Sequence, residues 1–138
     1  MHFRHGLREY WIEDAWWHEA GMAAWRPSGS SYNTDASAVA GKPVVLVEIT
    51  DVAPLERHLS HGVFTDSAEY GTAQDRVVNV LRGFVQGAPI PPIDFVALEP
   101  GAVHKYRLRH GAHRFYCAAA AGFSHVPAIV YRPEEVAY

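Results

Sequence analysis

From Pro43 to Tyr131 short β-branched runs alternate with helical runs, and a glycine or proline stands at most of the changes. Such punctuation sets the order of elements before any tertiary contact is considered. Val44-Val45-Leu46-Val47-Glu48-Ile49 reads as a strand. Pro54 opens a brief helix over Leu55–Leu59, which Gly62 stops. Thr72-Ala73-Gln74-Asp75 resembles a capping box with Asp in place of Glu. Behind it Val77, Val78, Leu81, Phe84 and Val85 recur at helical intervals until Gly87 and Pro89 end the run. Ile93–Leu98 is a second strand, followed by a turn at Glu99-Pro100-Gly101. Lys105–Arg109 alternates basic with apolar residues, as a half-solvated strand does. Ala112–Ala121 is helical by propensity and is capped by Gly122, and Val126–Tyr131 closes as a strand. The order predicts a mixed α/β fold, with no repeats, heptads or low-complexity tract.

Residues 1–43 differ in character. All four tryptophans (Trp11, Trp16, Trp17 and Trp25) lie there. Trp11, Ile12, Ala15 and Trp16 fall at helical spacing between Leu7 and His18, which predicts a helix ended by Gly21. Pro27-Ser28-Gly29-Ser30-Ser31 and Asn33-Thr34-Asp35 are loop chemistry. So short a segment buries little alone. It reads as an arm, residues 1–43, packed on a main domain, residues 44–138, or across a homodimer. Its tryptophans serve either as core cover or as a platform for a partner.

Composition narrows the function classes. The chain has 138 residues with a net charge of −3, 49% hydrophobic and 20% charged, which suits one domain with a real core. Net acidity argues against a surface that grips nucleic acid throughout, because phosphate binding needs clustered positive charge. The single cysteine, Cys117, excludes an intramolecular disulfide and a cysteine zinc cage. No apolar run reaches the roughly 20 residues that span a bilayer. The N-terminus leads into charged and aromatic residues, so the expected setting is the cytoplasm, with no membrane partner.

The most informative chemistry is the turn His110-Gly111-Ala112-His113-Arg114 between a strand and a helix. Free N–H groups at the helix start, with the helix dipole, favour an anion there. Gly111 permits a tight turn, Arg114 offers a fork of donors suited to phosphate oxygens, and His113 can donate a hydrogen bond or move a proton. An Arg in a first helical turn meets the positive end of the dipole, an arrangement that an anion relieves. Arg107 and Arg109 share one strand face and extend the positive charge. Glu48 and Asp51, at the end of the first strand, are candidates to reach the same rim, as a proton acceptor or as Mg²⁺ ligands. Asp51 is equally suited to cap the helix after Pro54. His104, His110 and His113 lie close in sequence, yet no Asp or Glu joins them at a metal-motif spacing, so no metal ligands are assigned. No Ser-His-Asp order, Walker loop or Rossmann glycine fingerprint occurs.

Pro91-Pro92-Ile93-Asp94-Phe95-Val96, Tyr106-Arg107-Leu108-Arg109-His110-Gly111-Ala112-His113-Arg114-Phe115 and Ala118-Ala119-Ala120-Ala121-Gly122-Phe123-Ser124-His125-Val126-Pro127-Ala128 together resemble the ParB/sulfiredoxin-like superfamily. That superfamily strings a proline-introduced strand, a second strand, a Gly-x-His-Arg or Gly-Glu-Arg-Arg turn, an alanine-rich helix ending in Gly, and a Val-Pro strand. The resemblance covers residues 43–132 and implies that the turn holds nucleotide phosphates, through Gly111, Ala112, His113 and Arg114. Sulfiredoxins carry a nucleophilic cysteine where this chain has Ala112, and Cys117 lies a helical turn further on, so sulfiredoxin chemistry is not expected. Chromosome-partition ParB proteins add a helix-turn-helix module and a dimerisation tail. This acidic chain ends at Tyr138, so DNA clamping on its own is not expected either. Gly-Ala-His-Arg stands nearest the sulfiredoxin branch and a branch similar to free-serine kinases, which has Gly-His-His-Arg in the turn.

The resulting expectation is a nucleotide-binding domain that takes ATP, ADP or CTP with Mg²⁺ and leans to phosphoryl transfer or nucleotide hydrolysis. In that reading His113, Glu48 and Asp51 are the catalytic candidates. The rival reading is a non-catalytic binding module, DNA-associated or accessory to a toxin–antitoxin pair.

Overall fold

A computed structural model describes residues 1–35, 41–55, 64–69 and 71–136. It begins with a hairpin, β1 (His2–His5) paired antiparallel to β2 (Arg8–Trp11), which reverses at Gly6 with φ of 63°. The helix expected over Leu7–His18 is therefore a strand for its first part. Only α1 (Asp14–Glu19) is helical. Helical spacing placed Trp11 and Ile12 on one face, yet Trp11 is 45% exposed and Ile12 is 1% exposed. Neighbours on opposite sides are the signature of a strand. Phe3 and Tyr10 stack at 5.7 Å on the inner face, and Tyr10 meets Tyr116 at 4.8 Å.

The main sheet has four strands: β3 (Val45–Glu48), β4 (Ile93–Ala97), β5 (Tyr106–His110) and β6 (His125–Tyr131). Their order is β3-β6-β4-β5. β4 and β6 are parallel, and both outer pairings are antiparallel. After β3 a short 3-10 turn, Ile49–Asp51, turns the chain away from the expected strand end. Val52 then bridges to Tyr106 at the start of β5. The helix expected over Leu55–Leu59 and its stop at Gly62 fall mostly outside the described residues.

Two longer helices pack against each other, α2 (Ala73–Gln86) and α3 (Ala112–Ala121). α2 begins where expected, with the Thr72 side chain accepting from the Asp75 N–H at 3.1 Å, and ends at Gly87 in the left-handed region. α3 matches its alanine run, and seven of its ten residues are buried. Alanine allows that, since a helix of small residues can be enclosed on several sides without overfilling the core.

The first 35 residues share this core. Phe3, Tyr10, Ile12, Met22 and Tyr32 are buried in it, while Trp16, Trp17 and Trp25 pack against it half-buried. Tyr32 stacks on Phe84 at 5.2 Å, and its hydroxyl donates to the Pro91 carbonyl at 2.7 Å. Asn33 and Thr34 tie the same segment to Gly87 and Ile90 around the end of α2. The fold is thus mixed α/β, with a four-stranded mixed sheet and three helices among the described residues. Among those residues no helix is long and apolar enough to cross a membrane.

Candidate functional site

β5 delivers the chain to Gly111, which caps α3 in the left-handed region at φ of 105°. A Cβ at this position would lie 3.0 Å from Arg114 Nη2 and 3.2 Å from Ile93 Cγ2. Glycine is required here twice, for its dihedral and for the space. The group that approaches its backbone is the Arg114 guanidinium, folded back over the turn.

No side chain caps α3, in contrast to α2. The first N–H groups of α3 have no carbonyl one turn earlier to bond to, and the dipole makes this end positive. Arg114 is half-buried at that end. Among the described residues no carboxylate pairs with it. Its charge works against the burial that raises the Tyr32 hydroxyl pKa.

The turn forms one wall of an open cavity of about 830 Å³. Arg109, His110 and Arg114 line it from the β5–α3 side, and Arg76 and Asn79 from α2. Leu55, Val80 and Leu108 supply apolar surface. No carboxylate occurs among the described lining residues. Arg109 also lies over the Tyr131 ring at 5.0 Å, which fixes its direction.

His113 faces inward. It is 8% exposed, and its Nε2 accepts the Thr65 N–H at 3.0 Å, so its ring proton sits on Nδ1 in this contact. The Thr65 carbonyl in turn accepts from Arg76 Nη1 at 2.9 Å. Thr65 therefore links α3 to α2 across the floor of the cavity and holds Arg76 at its wall. That arrangement gives His113 a positioning duty, in place of the free proton carrier expected at the turn.

The two expected carboxylates stand elsewhere. Asp51 lies beside Lys105, with the Lys105 N–H donating to the Asp51 carbonyl at 2.9 Å and the two side chains 3.7 Å apart. Lys105 precedes β5 and Gly111 follows it, a separation of about 20 Å along an extended chain. Asp51 closes the 3-10 turn, and the helix it was expected to cap after Pro54 lies mostly outside the described residues. Glu48 faces His125 in a different pocket. Arg107 lines a separate groove beside Leu98 and Pro133. The structure thus gathers Gly111, Ala112, His113 and Arg114, has Arg109 line the cavity while its guanidinium lies over Tyr131, and leaves out Arg107, Glu48 and Asp51. It adds Arg76 and Asn79, three apart on α2. That i, i+3 spacing on the polar face of a capped helix was the available signal for them.

A guanidinium set with helix N–H groups fits phosphate oxygens well. The same set offers Mg²⁺ no carboxylate among the described residues, and these hold no cluster of His, Cys, Asp and Glu suited to a metal. Cys117 is fully buried, and burial pushes its thiol pKa far up, so it is not a thiolate. Compared with protein-family models, curated proteins and solved structures, the chain has no match.

Proposed function

We propose that this chain is a nucleotide-binding module, with a ParB/sulfiredoxin-like fold, that holds phosphate groups at the Gly111–Arg114 turn. One observation carries the reading. Arg76, Arg109 and Arg114 line one cavity at an uncapped helix start, without a carboxylate among its described lining residues. Arg114 stands at the positive end of the α3 dipole, an arrangement that an anion of two or three phosphates relieves. The cavity volume also suits a nucleotide, since small-molecule sites run from roughly 300 to 1,000 Å³.

Binding without turnover is favoured over phosphoryl transfer. Hydrolysis or transfer needs a group to orient or deprotonate the acceptor. Glu48 and Asp51 stand away from the cavity, and the Nε2 of His113 is occupied by the Thr65 N–H. Arg114 and Arg76 would hold phosphate oxygens as forks, and Arg109 would screen charge at the rim.

The test is a thermal-shift panel of ATP, ADP and CTP, with and without Mg²⁺, run beside an assay for released phosphate. The expected result is a rise in melting temperature with at least one nucleotide and no phosphate release. No shift with any nucleotide at millimolar concentration would refute binding. Phosphate release lost on Arg114→Ala would refute the non-catalytic reading and restore the enzyme.

A further inference from the structure

A second pocket, of about 400 Å³, opens at the junction of β3, the 3-10 turn and the start of β6. Ile49, Ala119 and Phe123 give it apolar walls, and Arg4 lines it from the hairpin. In it the Ser124 hydroxyl lies 2.7 Å from His125 Nδ1. On the far side of the same ring, His125 Nε2 lies 3.7 Å from a Glu48 carboxylate oxygen.

The backbone holds these three side chains together. Glu48 and His125 are register partners across β3 and β6, which places their side chains on one face of the sheet. The Ile49 N–H donates to the Ser124 carbonyl at 3.0 Å, and the N–H groups of Ser124 and His125 both donate to the Ser30 carbonyl. When the Ser124 hydroxyl donates to Nδ1, the ring proton sits on Nε2 and faces Glu48. This is the logic of a serine nucleophile, a histidine base and an orienting acid, with the two ring nitrogens exchanged. At 3.7 Å the Glu48 contact is longer than a hydrogen bond, and its charge would stabilise the imidazolium formed when Nδ1 takes a proton.

We propose that Ser124, His125 and Glu48 form a serine esterase site that cleaves small carboxylic esters with an apolar acyl chain. Ser124 Oγ forms a bond to the ester carbonyl carbon, and its proton passes to His125 Nδ1. The carbonyl oxygen becomes an oxyanion beside the Arg4 guanidinium. The carbon–oxygen bond to the leaving group then breaks, and the leaving alcohol takes the proton from Nδ1. Water next attacks the acyl-Ser124, giving its proton to Nδ1. The acid departs as Ser124 Oγ recovers that proton. No oxidant, metal or cofactor enters the balance. The site is separate from the phosphate cavity, and the proposal does not depend on that reading.

The experiment treats the whole chain with an alkyl fluorophosphonate and reads intact mass. The expected result is one phosphonyl group gained with loss of fluoride, mapped to Ser124. Labelling is absent in Ser124→Ala. It slows by about a hundredfold in His125→Gln, within the range for removing a general base. Glu48→Gln slows it less while leaving the circular dichroism and melting temperature of the protein unchanged. Hydrolysis of p-nitrophenyl butyrate follows the same ranking. Ser124 is exposed, so its alanine variant folds and the comparison stands. No adduct after prolonged excess of the probe would overturn the proposal. Equal labelling of wild type and Ser124→Ala, or of wild type and His125→Gln, would overturn it as well.

Discussion

Gly111 shows at the residue scale how one position serves both the backbone and the Arg114 side chain. Its φ of 105° and the Arg114 guanidinium resting over it leave no room for a side chain. Gly111→Ala should cost roughly 1–2 kcal/mol for the left-handed dihedral alone, in denaturant melts, and should also displace Arg114. His113 carries a different load. Replacing it by Ala strands the Thr65 N–H that its Nε2 now accepts, at a cost of about 1–3 kcal/mol. Because Thr65 also holds Arg76, the variant should lose both stability and nucleotide affinity. An unchanged melting temperature in His113→Ala would contradict the positioning role. Cys117→Ala removes a buried thiol that burial keeps protonated, so nucleotide affinity should stay the same. A lower affinity with the fold intact would point back to sulfur chemistry. The turn was legible in sequence because Gly, His and Arg sit side by side and report a local conformation. Where each side chain points was not legible. A buried His113 and a solvent-facing one have the same sequence neighbours, and it is contacts distant in sequence, with Phe64 and Thr65 among them, that set its direction.

The elements divide in the same way. α2 and α3 were readable nearly to the residue, since Thr72, Gly87, Gly111 and Gly122 mark their ends chemically. The first hairpin was not. Trp11, Ile12, Ala15 and Trp16 satisfy a helical count, and the strand pairing of Arg8–Trp11 with His2–His5 wins by burying Phe3, His5 and Tyr10 on one side. His5 makes that hairpin sensitive to acid. It is 4% exposed against Phe115 and Tyr116, its Nε2–H donates to the Ile49 carbonyl at 3.2 Å, and desolvation lowers its pKa below the ordinary 6.5. The unfolded chain then binds a proton that the folded chain resists. Stability from this group is complete above about pH 6.5 and falls as the pH drops below it. Melts between pH 7.5 and pH 5 should show a decline that flattens in His5→Asn. Equal slopes in the two proteins would place the acid sensitivity elsewhere. Glu48 and Asp51 were misplaced for an element-scale reason. The 3-10 turn and the Val52–Tyr106 bridge carry the chain toward the start of β5, the end away from Gly111.

For the whole molecule, the N-terminal residues and the sheet form one packed body, with Tyr32, Met22 and Ile12 in the same core as Leu81 and Phe115. A chain starting after residue 43 would expose Tyr116, Phe84 and Phe123, which those residues now touch. It should aggregate, as a large uncovered apolar patch does. A soluble, equally stable truncation would show that the arm is dispensable. The charge distribution makes the matching functional statement. A chain of net charge −3 nonetheless places three arginines around one cavity without a carboxylate among the described lining residues. Calorimetric titration of wild type and Arg114→Ala with the nucleotide that gives the largest thermal shift tests this directly. Charge-assisted hydrogen bonds contribute roughly 1.5–3 kcal/mol each, so the variant should bind about ten- to a hundredfold more weakly, with its fold intact. Arg114→Lys should recover only part of the loss, because a point charge does not replace a fork. Indistinguishable affinities for wild type and Arg114→Ala would contradict the assignment of the Gly111–Arg114 turn as the phosphate site.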